Sequence, residues 1–164
     1  MIKNILVTGA NGFIGKNVTN LLKDKGFAVF SYDLGNTEEE LISYINEADF
    51  IIHLAGINRP LTTEEFYDGN TNFTKHLVDL VKKSNRKIPI IYSSSIHASK
   101  DNDYGKSKKL AEDYLLEFAK EYDNKVYIFR LTNVYGRGCK PNYNSAVATF
   151  AYNVVNNLPI TLDD

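Results

Sequence analysis

Two hydrophobic periods alternate along this chain of 164 residues. Short apolar, β-branched runs predict strands at about 4–7, 27–32, 49–54, 88–92 and 125–131. Between and after them, apolar positions at the 3.6-residue period predict helices over 17–25, 37–47, 64–84, 104–122 and 145–156. Gly26 reads as the stop of the first helix. Glu38, Glu39 and Glu40 suit the start of the second, where acid favours the helix dipole. Leu77, Leu80 and Val81 belong to the apolar stripe of the third. Ala111, Leu115, Phe118 and Tyr122 form that of the fourth and are expected to be buried. Strands alternating with helices predict an α/β fold, a doubly wound and mostly parallel sheet. Only about fifteen residues separate Asp33 from Asp49. That length holds a helix but no strand besides, so the usual outer third strand is expected to be missing or vestigial. A short Ile160-Thr161-Leu162 run ends the chain.

Composition narrows the class. Apolar residues make up 43%, enough for one domain with a real core. The net charge of −1 carries no footprint of nucleic acid or of a membrane surface. The apolar runs are strand-length, so no bilayer span is expected. The N-terminus enters a strand by Ile5 without the shape of a signal peptide. The single cysteine, Cys139, excludes a disulfide framework and fits a reducing cytoplasm. No repeat, linker or metal site is read.

The candidate chemistry sits where predicted strands end. Gly9, Gly12 and Gly15 follow the first strand and open the first helix. Such glycines let backbone N–H groups approach a pyrophosphate at a helix N-terminus. A purely structural strand-turn-helix is the other reading, and no Walker lysine-serine follows. Asp33 ends the second strand, about 20 residues on, where a carboxylate accepts from adenosine ribose hydroxyls and repels a 2′-phosphate. This favours NAD over NADP; a capping aspartate is the alternative. Ala55-Gly56 allows close backbone approach, while His53, inside its strand, reads as core. Asn58-Arg59-Pro60 forms a loop at the carboxyl edge, where open α/β sheets bind ligands. Ser93-Ser94-Ser95 offers hydroxyls at a strand end, or only turn chemistry. Tyr104 and Lys108 lie four apart, on one helix face. A lysine cation there is expected to lower the phenol from its usual ~10 and fit it for proton transfer. Alone, that spacing describes a surface tyrosine and a solvated lysine; the other stretches argue against this.

Taken together, Gly9/Gly12/Gly15, "HLAG" (53–56), Ser93–Ser95, Tyr104/Lys108 and "RLTNVYG" (130–136) resemble the extended short-chain dehydrogenase/reductase family of nucleotide-sugar epimerases, dehydratases and reductases. "HLAGINRP" (53–60), "SSSIHASKDNDYGKSK" (93–108) and "CKPNYNSAVATF" (139–150) are similar to the N-terminal domain of CapF-type capsular-polysaccharide reductases, which carry a C-terminal cupin domain. The resemblance implies a Rossmann-like cofactor core over 1–135 and a truncated start of the substrate region over 136–164. It implies Tyr104 as general acid/base, Lys108 at the nicotinamide ribose and Ser95 on the reacting oxygen. Gly9, Gly12, Phe13, Ile14 and Gly15 would cradle the pyrophosphate. Asp33 or Leu34 would meet the adenosine ribose, Asp49 and Phe50 the adenine, and Ala55 and Gly56 the cofactor's flank. Asn133, Arg59, Lys140 and Asn142 would face the nucleotide sugar. The implied cofactor is NAD(P)(H): Asp33 leans to NAD and the family resemblance to NADP. The implied activity is reduction of the C4 ketone of a UDP-2-acetamido-2,6-dideoxy-hexos-4-ulose. A 4-epimerase or dehydratase on the same residues is the alternative, with Ile96 after Ser95 arguing against a dehydratase. A non-catalytic NAD(P) sensor is the alternative of another class. The family also implies a homodimer through the 64–84 and 104–122 helices.

Overall fold

The computed structural model describes residues 2–161. They form two compact units, Met1–Arg130 and Leu131–Asp164. The division falls a few residues before the expected boundary at 135. In the first unit, β1 (Asn4–Thr8), β2 (Ala28–Tyr32), β3 (Phe50–His53), β4 (Ile90–Ser95) and β5 (Val126–Leu131) build a five-stranded parallel sheet in the order β2-β1-β3-β4-β5, β5 ending one residue past the division.

Alternation along the strands decides which face each residue covers. On β1, Leu6 turns to one side, where it meets Leu41 and Ile45 of α2 (Glu38–Glu47), Leu77 and Val81 of α4 (Phe73–Lys83), and Leu115 and Phe118 of α5 (Asp103–Tyr122). Ile5 and Val7 turn to the other side, against Leu22 of α1 (Phe13–Asp24). Helices therefore cover both faces, as in a doubly wound sheet. Among the described residues between Asp33 and Asp49 there is no strand. That stretch holds α2, opened by a capping box in which Thr37 and Glu40 exchange hydrogen bonds with each other's backbone N–H.

Three elements depart from the sequence reading. The expected helix over 64–84 is broken into α3 (Thr63–Phe66), a π-turn (Tyr67–Asn72) and α4. β4 runs on through all three serines, which are strand residues and not a turn. Tyr122 lies in the last turn of α5 and is 47% exposed, so the buried stripe ends at Phe118. In the second unit, Ser145 caps α6 (Ala146–Val155) by accepting from the Ala148 N–H. Residues 159–161 are not strand, and Leu162 lies outside the described residues.

Candidate active site

β1 delivers the chain directly into the glycine turn. The Gly12 N–H donates to the Gly9 carbonyl at 3.1 Å, and α1 begins at the next residue. No side chain caps Gly12, and the first turn of α1 holds no acid. In contrast, α2, α5 and α6 are capped by Thr37, Asn102 and Ser145. The first N–H groups of α1 therefore keep their hydrogen-bonding capacity, at the positive end of the helix dipole. A Cβ on Gly15 would lie 2.0 Å from the Gly9 carbonyl oxygen, so the turn can only close this tightly on glycine. Phe13 and Ile14 are half-buried beside it. Asp33 stands beside the turn: its carboxylate accepts from the Asn11 N–H at 2.6 Å and the Leu34 N–H at 2.8 Å, tying the end of β2 to the cradle. Leu34 itself is exposed. These residues fit a dinucleotide pyrophosphate.

The second half of the site is built on β4 and α5. A 3₁₀ turn (Ile96–Ser99) links them, and Asn102 caps α5 by accepting from the Gly105 N–H. The geometry brings the Ser95 hydroxyl beside the Tyr104 phenol, near enough to favour its phenolate. Ser95 also accepts from the His97 N–H at 3.2 Å, which fixes its rotamer. The Tyr104 ring lies beside Phe66 and His97, with centroids 5.6 and 5.9 Å away. Burial raises the phenol above its ordinary value, and the neighbouring Ser95 hydroxyl offsets part of that rise. The expectation of a phenol lowered by Lys108 is thus corrected. The lysine's ammonium is engaged by the Ser93 carbonyl, and at the phenol desolvation outweighs the effect of the Ser95 hydroxyl.

Lys108 is only 5% exposed. Its Nζ donates to the Ser93 carbonyl at 3.2 Å and sits 5.0 Å from the centroid of the Tyr92 ring. Gly56 makes room for it: a Cβ there would stand 2.9 Å from Nζ and 2.5 Å from Asn70 Oδ1. Burial lowers the ammonium from 10.5 to about 8, and the Glu112 carboxylate pulls it back up.

A buried polar chain connects the two halves. Thr74 donates to the Asn70 carbonyl at 2.6 Å, so towards His53 it can only accept. His53 Nε2–H therefore donates to Thr74 at 2.9 Å, and Nδ1 accepts from the Thr8 hydroxyl at 2.7 Å. Thr8 in turn accepts from the Ala55 N–H at 3.4 Å. Full burial, with the nearby Lys108 charge, lowers His53 to about 3. It is the packed, neutral core histidine expected from the sequence. Asn70 holds both ends of the Ile57 backbone, at 3.0 and 2.9 Å, and donates to Ser107 at 3.0 Å.

Sequence reasoning missed Asn70, Glu112 and the pairing role of Arg130. The run Gly69-Asn70-Thr71-Asn72 of weak helix formers was the available signal for the π-turn. Nothing local marked Glu112, whose partners come from two strands. Of the expected site residues, Ser95, Tyr104, Lys108 and Gly56 converge, and Ala55 is tied to Thr8 at the start of the glycine turn. Arg59 lies in the exposed loop after β3. Asp49 and Phe50 are not brought to the site. Asp49 accepts from the Lys3 and Asn4 N–H groups at the amino edge of the sheet, and Phe50 pairs with Ile5 and packs in the apolar cluster facing α1. They begin β3, whereas the cradle lies past its end, roughly 13 Å along the strand. Asn133, Lys140 and Asn142 belong to the second unit. There the Asn142 N–H donates to Thr149 at 2.8 Å, in the turn before α6. Among the described residues no cluster of His, Cys and acids could hold a metal, and no helix is long and apolar enough to cross a membrane.

Residues 5–163 match the NAD dependent epimerase/dehydratase family. The chain is 45% identical over 161 residues to a UDP-2-acetamido-2,6-beta-L-arabino-hexul-4-ose reductase from Pseudomonas aeruginosa, covering 98% of this chain and 43% of that protein. It is 46% identical to the capsular polysaccharide assembling protein CapF from Staphylococcus aureus, whose crystal structure superposes with a TM-score of 0.85 over 98% of this chain and 44% of that one. The NAD complex of a UDP-glucuronic acid 4-epimerase from Bacillus cereus shares the fold: TM-score 0.81, 20% identity, 97% of this chain and 66% of that one. The chain thus spans less than half the length of its reductase and CapF relatives.

Proposed function

The chain belongs to the NAD dependent epimerase/dehydratase family, and on that premise we propose that it is the nicotinamide-binding and proton-transferring part of a nucleotide-sugar reductase. The substrate is a UDP-2-acetamido-2,6-dideoxy-hexos-4-ulose, reduced at the C4 ketone. The observation that carries this reading is the convergence of Ser95 on Tyr104, with buried Lys108 one helical turn along the same face. The 45% identity to a protein named for that reduction supports the choice of sugar.

When bound, reduced nicotinamide would supply hydride chemistry for the ketone carbon. The chain's own residues handle the proton. Tyr104, kept protonated by burial, gives its proton to the ketone oxygen. The Ser95 hydroxyl holds that oxygen and steadies the phenolate left behind. Lys108 presents a cation to the nicotinamide ribose from beneath. Gly9, Gly12, Phe13, Ile14 and Gly15 form the cradle of the pyrophosphate, with the first N–H groups of α1 as its donors. Asp33, with exposed Leu34 and no cation beside it in sequence, selects NAD(H) over NADP(H). For the sugar nucleotide, Arg59 is the first unit's candidate, and Asn133, Lys140 and Asn142 are those of the second unit. The partner is a second copy of the chain, packed through the 64–84 and 104–122 helices, where α5 leaves Leu110 and Leu116 exposed.

The test is the Tyr104→Phe variant in the full-length protein carrying these residues. Oxidation of NADH by the keto-sugar should fall about a thousandfold. Quenching of the reduced cofactor's fluorescence should give a dissociation constant within about threefold of the parent. Retained turnover would refute the assignment, and tighter binding of NADPH than NADH would refute the cofactor choice.

A further inference from the structure

The chain has three histidines, which differ in how their ring nitrogens are used. Both nitrogens of His53 are taken, by Thr8 and Thr74. His76 on α4 lies 3.4 Å from the Glu38 carboxylate. His97 is half-buried with its ring edge-on to that of Tyr104, yet among the described residues neither of its nitrogens has a hydrogen-bond partner. Its backbone, in contrast, is committed. The N–H donates to the Ser95 hydroxyl at 3.2 Å, and the carbonyl accepts from the Lys100 N–H at 2.8 Å. The same carbonyl abuts the first turn of α5: a Cβ on Gly105 would stand 2.2 Å from its oxygen. The 3₁₀ turn thus holds His97 at a fixed place against Ser95 and against the start of α5, which bears Tyr104.

Burying part of an imidazole without a partner lowers stability, and packing alone would be served better by an apolar ring. Phe66 is such a ring: it meets the same tyrosine at 5.6 Å and carries no polar atom. The polar atoms of His97 therefore point to a ligand atom beside the ketone. With the C4 oxygen held by Ser95 and Tyr104, the nearest substituents of the sugar are the C3 hydroxyl and, through C5, the apolar C6 methyl. A neutral imidazole offers one donor and one acceptor, which matches a hydroxyl and not a methyl. We propose that His97 is a specificity-determining residue: its imidazole hydrogen-bonds the C3 hydroxyl of the 4-keto sugar and so fixes which face of the ketone is turned to the nicotinamide. This role rests on the proposed reductase reading, to which it adds the hydroxyl next to the ketone.

The test compares two substrates in the full-length protein carrying these residues: the UDP-linked 4-keto sugar and its 3-deoxy counterpart, each followed by oxidation of NADH. The parent should favour the sugar with the hydroxyl at least about tenfold in kcat/KM, because the 3-deoxy sugar leaves the imidazole unpaired. In H97F the preference should shrink to within about threefold, the loss falling on the hydroxyl sugar and not on the 3-deoxy one. H97L serves the same comparison if H97F does not fold. Equal losses on both sugars would make His97 a packing residue and overturn the proposal, as would a variant that keeps the parent's preference. A parent that reduces both sugars equally well overturns this role alone. A parent that reduces neither overturns the proposed function, and this role with it.

Discussion

The two ends of the sheet solve different problems with the same kinds of side chain. At the amino edge, polar groups finish the backbone. Asp49 accepts from the Lys3 and Asn4 N–H groups, Arg86 donates to the Ile45 and Asn46 carbonyls, and Asn124 donates to the Ile88 carbonyl. At the carboxyl edge, buried polar groups mostly engage one another: Thr8 with His53, His53 with Thr74, Asn70 with Ser107, Ser94 with Glu112. Between the two lies an apolar core of Leu6, Ile51, Leu77, Ile90 and Leu115. Burying polar and charged groups lowers stability unless every one is paired. A fold that concentrates them at one edge is giving up stability there, and such an edge is where function is to be sought.

The largest expected effect follows from Lys108. Its proton affinity is depressed from 10.5 in the unfolded chain to about 8 in the native one. Below pH 8 the native state carries a charge it disfavours, which costs about 3 kcal/mol. Lys108→Met should therefore stabilise the chain by up to about 3 kcal/mol at pH 7 in urea unfolding, while abolishing NADH binding. The sign has a second check. A depressed lysine makes the native state lose its proton first, so the parent should gain about 2 kcal/mol between pH 7 and 9.5, and the methionine variant should not. A destabilised methionine variant would mean that the carboxyl edge is ordinary structure.

His53 gives the next effect, a slope of the same sign in a more acidic window. Its imidazole is held neutral, lowered to about 3 from 6.5. The unfolded chain binds a proton that the native chain refuses, so stability is full above pH 6.5 and falls as the medium is acidified towards 3. Between pH 8 and 5 the loss should be about 2 kcal/mol. His53→Gln, less stable at pH 8 because it breaks the Thr8–Thr74 chain, should show a flatter response over that window. A parent indifferent to pH between 8 and 5 would show that His53 is not sealed.

What the sequence made legible and what it hid divide along the same line. The alternation of Ile5, Leu6 and Val7 is a local property, so strand and faces could be read directly. The length between Asp33 and Asp49 is also local, and it excluded a sixth strand. Tyr104 was harder. Its spacing from Lys108 placed both on one helix face, but its proton affinity depends on Phe66 and His97, which approach from other segments. The π-turn was masked because the apolar positions Phe66, Phe73, Leu77 and Leu80 keep an apparently helical rhythm across it. The bonding of Glu112 to Ser94 and Arg130 was invisible for a third reason: those two are far apart in sequence and meet only in the folded sheet. Asp49 could have been placed correctly. It begins a parallel strand, and the beginning of each strand lies at the edge opposite the cradle.

Asp49 provides the smallest effect and the sharpest control. Bonds from the Asn4 and then the Lys3 N–H groups hold its carboxyl below the usual value. A lowered carboxyl contributes stability above its unfolded value, and the contribution disappears as pH falls through the native one. Asp49→Asn should thus be slightly less stable than the parent at pH 7, with the gap closing as acid protonates the parent's carboxylate. NADH affinity should not change, because the side chain faces the backbone of β1 at the edge away from Gly9–Gly15. Fluorescence quenching decides this. A tenfold loss of NADH affinity in Asp49→Asn, with stability nearly intact, would place the residue against the adenine after all and erase the distinction between the two edges.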